Sequence, residues 1–553
     1  MNVSAHIIDV LNRRCYDGVI AVEDGRIVSI DCDAPVPQDA PYVMPGFVDA
    51  HVHIESSMLL PEEFGRVALK HGTVAAVCDP HEIANVLGTE GVEFMIENSR
   101  RSLMKMCFAA PSCVPSTGFE TAGGELGVRE IDDLVRRHDI YALGEMMNSV
   151  GVVMDDPVVM GKIDAAMRAG KPIDGHAPLL TGDALKKYVS AGITTDHECT
   201  SILEAEEKLA LGMSILLRSG SAANDFVNLK GLLATHSKNI MFCADDKHPD
   251  DLLEGHINKM VSQAVTCGYP IWNVLCAACV EPVKHYRLPV GLLQVGDPAD
   301  FIVVDNVVDF NIMETYVNGV RCISSKDNCL GQGCLRKSKF ETPNSSSWPN
   351  RFVRTTVSEK DILVKRAGER IRVIGATESS IITECRLAPP SLSADGENMV
   401  QDVERDLLKI VVVNRYSNDT APQVAFISGF GLRRGAIAST IAHDCHNLIA
   451  VGVDDCSITK AMNRLIQEKG GIAVCDGDNV DVLPLPVAGL MSPESAEKVA
   501  GAYVRLNHKT RELGCRLSSP FMTLSFMALP VIPHLKLTDK GLFDFSKFGF
   551  VEM

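Results

Sequence analysis

The chain is 553 residues long, 46% hydrophobic, and carries a formal net charge of −18. That length implies two or three domains, each with enough apolar residues to build a core. An acidic surface is not attracted to nucleic acid or to anionic membranes, and a small neutral substrate is compatible with it.

The opening stretch, "MNVSAHIIDVLNRRCYDG", has no apolar h-region and no cleavage pattern, so no signal peptide is expected. No long uncharged apolar run suggests a membrane span. The 18 cysteines are scattered through the chain, which fits free thiols in a reducing cytoplasm better than a disulfide framework.

The first forty residues alternate in a strand-like way, in "HIIDV" and "GVIAVEDGRIVSID", with Gly25 marking a hairpin turn. The same texture returns at residues 291–322, "GLLQVGDPADFIVVDNVVDFNIMETYVNGVRC". Two β-rich blocks flanking a long middle segment predict one small β-sandwich domain built from both flanks.

The middle segment alternates strands and helices. Strands are expected at "YVMPGFVDAHVHIE", "GTVAAVCDPHE", "MCFAAPSCVP", "YALGEMMN", "KPIDGHAP", "GITTDHECT", "GMSILLRSG" and "NIMFCADD". Amphipathic stretches such as "PEEFGRVALKHG" and "GDALKKYVSAG" lie between them, several ending in Gly as helices do. Eight such strands predict a parallel (β/α)₈ barrel. A doubly wound open sheet is the alternative, weakened because no G-x-G-x-x-G follows the first strand. The one C-x-x-C, Cys276 to Cys279, has no second pair at zinc-finger spacing and reads as buried packing cysteines. Residues 326–360 are polar and read as a linker, followed by a further α/β region. The expected domains are therefore 1–43 and 289–325 for the sandwich, 44–288 for the barrel, and 361–553 for a C-terminal α/β domain.

In such a barrel, chemistry gathers at the C-terminal ends of the strands. Strand 1 delivers His51 and His53, which share one face of a strand at i and i+2. Strand 2 delivers Asp79, His81 and Glu82. Strand 4 delivers Glu145, strand 5 His176, strand 6 His197 and Glu198, and strand 8 Asp245 and Asp246. A lone strand-end histidine is more often a satisfied polar residue, and His71, His138, His236 and His285 take that reading. Histidines and carboxylates at five strand ends instead make a ligand set for two divalent metals, of the kind that suits Zn, Mn or Fe. Paired metals lower the pKa of a bound water, giving hydroxide at neutral pH.

"PGFVDAHVHIE" resembles the strand-1 signature of the amidohydrolase superfamily. Nearly the whole chain is similar to the bacterial-type adenine deaminases, through "DPHEIANV", "GEMMNSVGV", "DGHAP", "DHECTS", "DDKHPDDLLEGHI", "GDPADFIVVD", "IAHDCHNLIAVG", "LPVAGLMS" and "LSFMALPVIPHLKLTDKGLFD". The resemblance implies hydrolytic deamination of adenine to hypoxanthine and ammonia, a role in purine salvage, and two divalent ions, Mn²⁺ first, with Fe²⁺ or Zn²⁺ as alternatives. It implies that His51 and His53 hold the more buried ion, that Glu145 bridges, and that His176 and His197 hold the second. Asp245 would bind the first ion and accept the water proton, with Asp246 as the alternative. Mononuclear deaminases of the superfamily carry a glutamate three residues after the strand-5 histidine, where this chain has Leu179. Glu82 and Glu198 are therefore candidates for protonating the ring, unless Asp245 makes both transfers. His81 either polarises the substrate or makes a supporting hydrogen bond, and Asn85 is structural.

The expected partners are adenine and further copies of this chain, with no nucleic acid and no membrane. His443, Asp444 and His446 in "AHDCHN" suggest either a separate metal site or, more readily, surface or interdomain contacts. The competing enzyme class is a cyclic amide hydrolase of the dihydroorotase or hydantoinase kind. The competing class outside enzymes is a non-catalytic metal- or purine-binding protein.

Overall fold

A computed structural model describes residues 1–221, 223–324, 348–378 and 380–553. The chain divides into two compact units. Unit 1 is 1–80, 93–112 and 127–341, and unit 2 is 81–92, 113–126 and 342–553.

In unit 1, both flanks of the barrel meet in one seven-stranded sheet. Strands Asn2–Asp9, Arg14–Glu23, Arg26–Asp31 and Tyr42–Pro45 join Phe301–Val304, Ile312–Val317 and Val320–Ser324. The expected sandwich is thus one continuous sheet that curls until Arg26 bridges to Pro298. Its core holds Ile7, Ile20, Val43, Phe301 and Tyr316.

The stretch read as one strand, 42–55, is two. Tyr42–Pro45 pairs with Phe301–Val304 in the curled sheet, and Phe47–Val52 is the first barrel strand. Gly46 separates them because the backbone there runs against Val74, whose Cγ1 would lie 2.3 Å from an added Cβ.

Among the described residues the barrel has eight parallel strands in chain order. They are Phe47–Val52, Thr73–Cys78, Lys105–Ala110, Ile140–Met146, Ile173–Gly175, Thr195–Asp196, Ser214–Arg218 and Ile240–Cys243. The first five form one hydrogen-bonded run and the last three another. The runs join where the Thr194 amide donates to the Ile173 carbonyl at 2.9 Å. The ring closes between strands 8 and 1, where the Asp245 amide donates to the His51 carbonyl at 3.0 Å. The strands are short, and most are apolar runs buried on both sides, as parallel strands covered by helices are.

The covering helices obey local rules. Pro157–Arg168 starts with Pro at its first position, and the Asp156 carboxylate accepts from the Val158 and Val159 amides. Cys276 and Cys279 are buried in a helical turn within the core that holds Phe226, Phe242 and Ile257. Among the described residues no helix is long and apolar enough to cross a membrane.

Unit 2 centres on an eight-stranded, mostly antiparallel sheet formed between residues 371 and 484. The helix Asp455–Glu468 buries Ile458, Met462 and Leu465 against it. Residues 326–347 of the expected linker lie outside the described residues. Residues 348–360 run along unit 2, with the Val353 and Arg354 amides donating to the Arg415 carbonyl and Val357 in the sheet's core. The apolar stretches around Val487–Met491 and Phe521–Leu529 are buried within the chain.

Gly46→Ala forces Val74 aside in a filled core, at about 1–3 kcal/mol for overpacking of this kind. The expected result is a lowered thermal midpoint by calorimetry, against an unchanged one for Gly118→Ala, where an added Cβ meets nothing within 4 Å.

Candidate metal centre

The barrel places its site residues where strands end. His51 lies in strand 1 and His53 just beyond it. Glu145 is near the end of strand 4. His176 and His197 directly follow strands 5 and 6, and Asp245 follows strand 8 by two residues. All six are buried or nearly so, and their donor atoms converge.

One group forms around His53. Its Nε2 lies 3.1 Å from His51 Nε2, 3.1 Å from Asp245 Oδ1 and 3.2 Å from Glu145 Oε1. Its Nδ1 is 3.0 Å from the Asp79 carbonyl, an acceptor, so Nδ1 carries the proton and Nε2 keeps its lone pair toward the cluster. The other group forms around Glu145 Oε2, with His176 Nδ1 at 2.6 Å and His197 Nε2 at 3.1 Å. The two oxygens of Glu145 therefore face different imidazole groups. His51 and His197 stack at 4.3 Å between ring centroids, packing the groups side by side.

These spacings fit metal ligands. Bonds of about 2.0–2.2 Å to imidazole nitrogen and carboxylate oxygen set neighbouring ligands roughly 3.0–3.5 Å apart. Most contacts around His53 and His197 fall in that range. Burial works against charge on Glu145, but the imidazoles of His176 and His197 outweigh it and hold the carboxyl well below the usual range. Burial likewise opposes charge on Asp245, and the His53 hydrogen bond and Arg218 overcome it.

Asp245, not its neighbour, turns toward the histidines. Asp246 instead accepts a short hydrogen bond from Ser56 Oγ. Glu198 lies 3.8 Å from His176 Nδ1 and 3.7 Å from His197 Nε2, and is ion-paired with Arg218. His81 and Glu82 open the helix His81–Leu87 in unit 2, with His81 Nε2 3.3 Å from Glu82 Oε1. Asn85 is structural, its Nδ2 donating to the His81 carbonyl. Leu179 is 63% exposed. His443, Asp444 and His446 are all buried, which corrects the expectation of surface contacts.

Two further residues support the cluster, and the first escapes a reading by ligand type. Arg218, the last residue of strand 7, donates to Asp245 Oδ2 at 2.9 Å, to both oxygens of Glu198, and to Asp225 at 2.6 Å. A lone charge ending the apolar run "MSILLR" was its sequence signal. Asp79 accepts from the Glu145 amide at 2.9 Å, besides holding His53 through its carbonyl. Gly144 permits this, because an added Cβ would stand 2.3 Å from Asp79 Oδ2.

Comparison with known proteins decides the family. The amidohydrolase family model matches residues 42–322, and a model of the adenine deaminase C-terminal domain matches residues 380–549. The adenine deaminase of Methanosarcina mazei is 47% identical over 550 residues, covering 99% of this chain and 98% of its own. This chain belongs to the adenine deaminase family of amidohydrolases. The adenine deaminase of Salinibacter ruber is 46% identical over 552 residues, and that of Borreliella burgdorferi 44% over 559, each covering all of this chain and at least 98% of its own. The family is typically metal-dependent, and the His, Asp and Glu clusters of the barrel are of the matching chemistry.

Arg218→Met removes the cation shared by three buried carboxylates. Breaking a buried pair from one side costs about 3–5 kcal/mol. The barrel of metal-free protein should unfold at correspondingly lower urea concentration, and an unchanged midpoint would show that Arg218 is not needed to balance this charge.

Proposed function

We infer that this chain hydrolyses adenine to hypoxanthine and ammonia, at two divalent ions held in the barrel, Mn²⁺ first among them. The observation that carries this is the end-to-end identity of 44–47% with adenine deaminases. In this reading His51, His53 and Asp245 would hold one ion and His176 and His197 the other, with Glu145 facing both groups. Such ions, when bound, lower the pKa of a water and supply a nucleophile at neutral pH.

The chain's own residues then manage protons. Attack at C6 of adenine builds negative charge on the adjacent ring nitrogen, which must take up a proton as the tetrahedral carbon forms. Asp245 accepts the proton of the attacking water through Oδ1, the oxygen that faces His53, while Arg218 anchors Oδ2. It delivers that proton to the ring nitrogen, and as the tetrahedral carbon collapses it takes the second proton from the new hydroxyl and passes it to the amine, which leaves as ammonia. Glu198, paired with Arg218, and Glu82, hydrogen-bonded to two imidazoles, are the candidates for handling the protons of the purine ring. His81, beside Glu82, polarises the purine.

The test is ammonia release from adenine by protein stripped of metal and reloaded with Mn²⁺, with adenosine, guanine, cytosine and dihydroorotate in parallel. Adenine should yield ammonia and hypoxanthine in equal amounts. Glu145→Gln and Asp245→Asn should lower kcat by at least about 10³, the scale on which single catalytic groups act. Ring opening of dihydroorotate with no ammonia from adenine would move the reaction to the cyclic amide hydrolases.

A further inference from the structure

The ring of barrel strands is not joined by the same means all the way round. Strand 5, Ile173–Gly175, and strand 6, Thr195–Asp196, belong to different hydrogen-bonded runs. Where strand 5 begins, the Thr194 amide reaches the Ile173 carbonyl at 2.9 Å. Toward its end, the amides go to side chains instead. The Gly175 amide donates to Thr195 Oγ1 at 3.1 Å, and the Ala177 amide to Asp196 Oδ1 at 3.1 Å. His176 lies between those two amides, and His197 directly follows Asp196. The two histidines thus straddle a seam where, among the described residues, side chains rather than a backbone ladder fix the stagger.

Lys208 closes that seam. It lies on the helix Ile202–Ala210, which follows strand 6, and is fully buried. Its Nζ donates to the Ala177 carbonyl at 2.8 Å, to Asp196 Oδ2, and to Glu204 Oε1 at 2.7 Å. An ammonium carries three protons, and each finds an acceptor here. Glu204 is on the same helix and Asp196 on strand 6, so the contact that crosses the seam is the one to Ala177, the residue after His176. Ala177 is held at both its polar groups, the amide by Asp196 and the carbonyl by Lys208. Glu204 holds the next part of that loop, accepting from the Leu179 amide at 2.8 Å. Burial works against charge on Lys208, but its neighbours, Asp196 foremost, outweigh it and keep the ammonium.

We propose that Lys208 is a positioning residue for the second ion's ligands, setting His176 against His197 through Ala177 and Asp196. This rests on the two-ion reading above. The rings concerned stand 5.4 Å apart between centroids. Partners that orient metal ligands from outside change metal affinity by about 10–100-fold when removed.

The test is a Mn²⁺ titration of full-length, metal-stripped protein, read as bound metal per chain. Lys208→Met keeps the length of the side chain and loses the three donors. Lys208→Met combined with Glu204→Gln keeps the net buried charge, and decides the matter if the single variant does not fold. Wild-type protein should bind two ions. The variant should bind one ion at wild-type affinity and the other about 10–100-fold more weakly, with activity returning as Mn²⁺ is raised. In a His197→Ala background the same change should alter the affinity of the remaining ion by less than about 2-fold, because its route of action is already gone. In a His51→Ala background it should weaken the remaining ion by the full factor. Two ions bound by the variant at wild-type affinity would overturn the proposal. So would equal weakening of both, which is what a general loosening of the barrel produces. Wild-type protein that binds fewer than two ions would remove the two-ion assignment itself, and this role with it.

Discussion

The carboxylate of Glu145 is the interaction on which the barrel site depends. One oxygen faces His53, the other faces His176 and His197. A carboxylate taken this far from water costs several kcal/mol unless charge and hydrogen bonds compensate it. Strands 1, 5 and 6 supply the imidazoles, and Asp79 from strand 2 takes up the Glu145 amide. The ring of strands has to close at the right stagger for any of this to hold. The Asp245 amide hydrogen-bonded to the His51 carbonyl makes that closure and delivers a fifth site residue in the same step.

Much of this was legible in the sequence because parallel barrel strands are short apolar runs, and any polar residue at their ends stands out. His51, His53, Glu145, His176, His197 and Asp245 were visible as strand-end residues, and the structure brings them together. Arg218 was visible only as a lone charge ending an apolar run, since a guanidinium is not a ligand type, and it pairs with both Asp245 and Glu198. The break at Gly46 was hidden because strands of two different sheets are continuous in hydropathy. What separates them is the approach of Val74, a residue distant enough in sequence that no local pattern records it. The turn at residues 442–447 was visible as a polar cluster, but its burial was not, because its partner Glu82 lies some 360 positions away.

Two clusters of the same residue types thus differ in the backbone group that each ring faces. In the barrel, His53 gives its Nδ1 proton to a carbonyl and turns a lone pair toward atoms about 3 Å away. In unit 2, His446 receives a backbone N–H at Nδ1 and turns a proton toward a carboxylate at closer range. A backbone amide facing one ring nitrogen is enough to decide whether the other is a ligand or a donor.

The same logic bears on the missing acid. A hydrolase that must protonate an aromatic ring is expected to keep one carboxyl neutral by burial, away from cations. Glu198 is paired with a guanidinium and Glu82 with two imidazoles. In the proposed reaction the proton for the ring is the one removed from water, carried by Asp245. That carrier needs one oxygen fixed and one facing the reacting atoms. Arg218 on Oδ2, with Oδ1 left toward His53, provides that division.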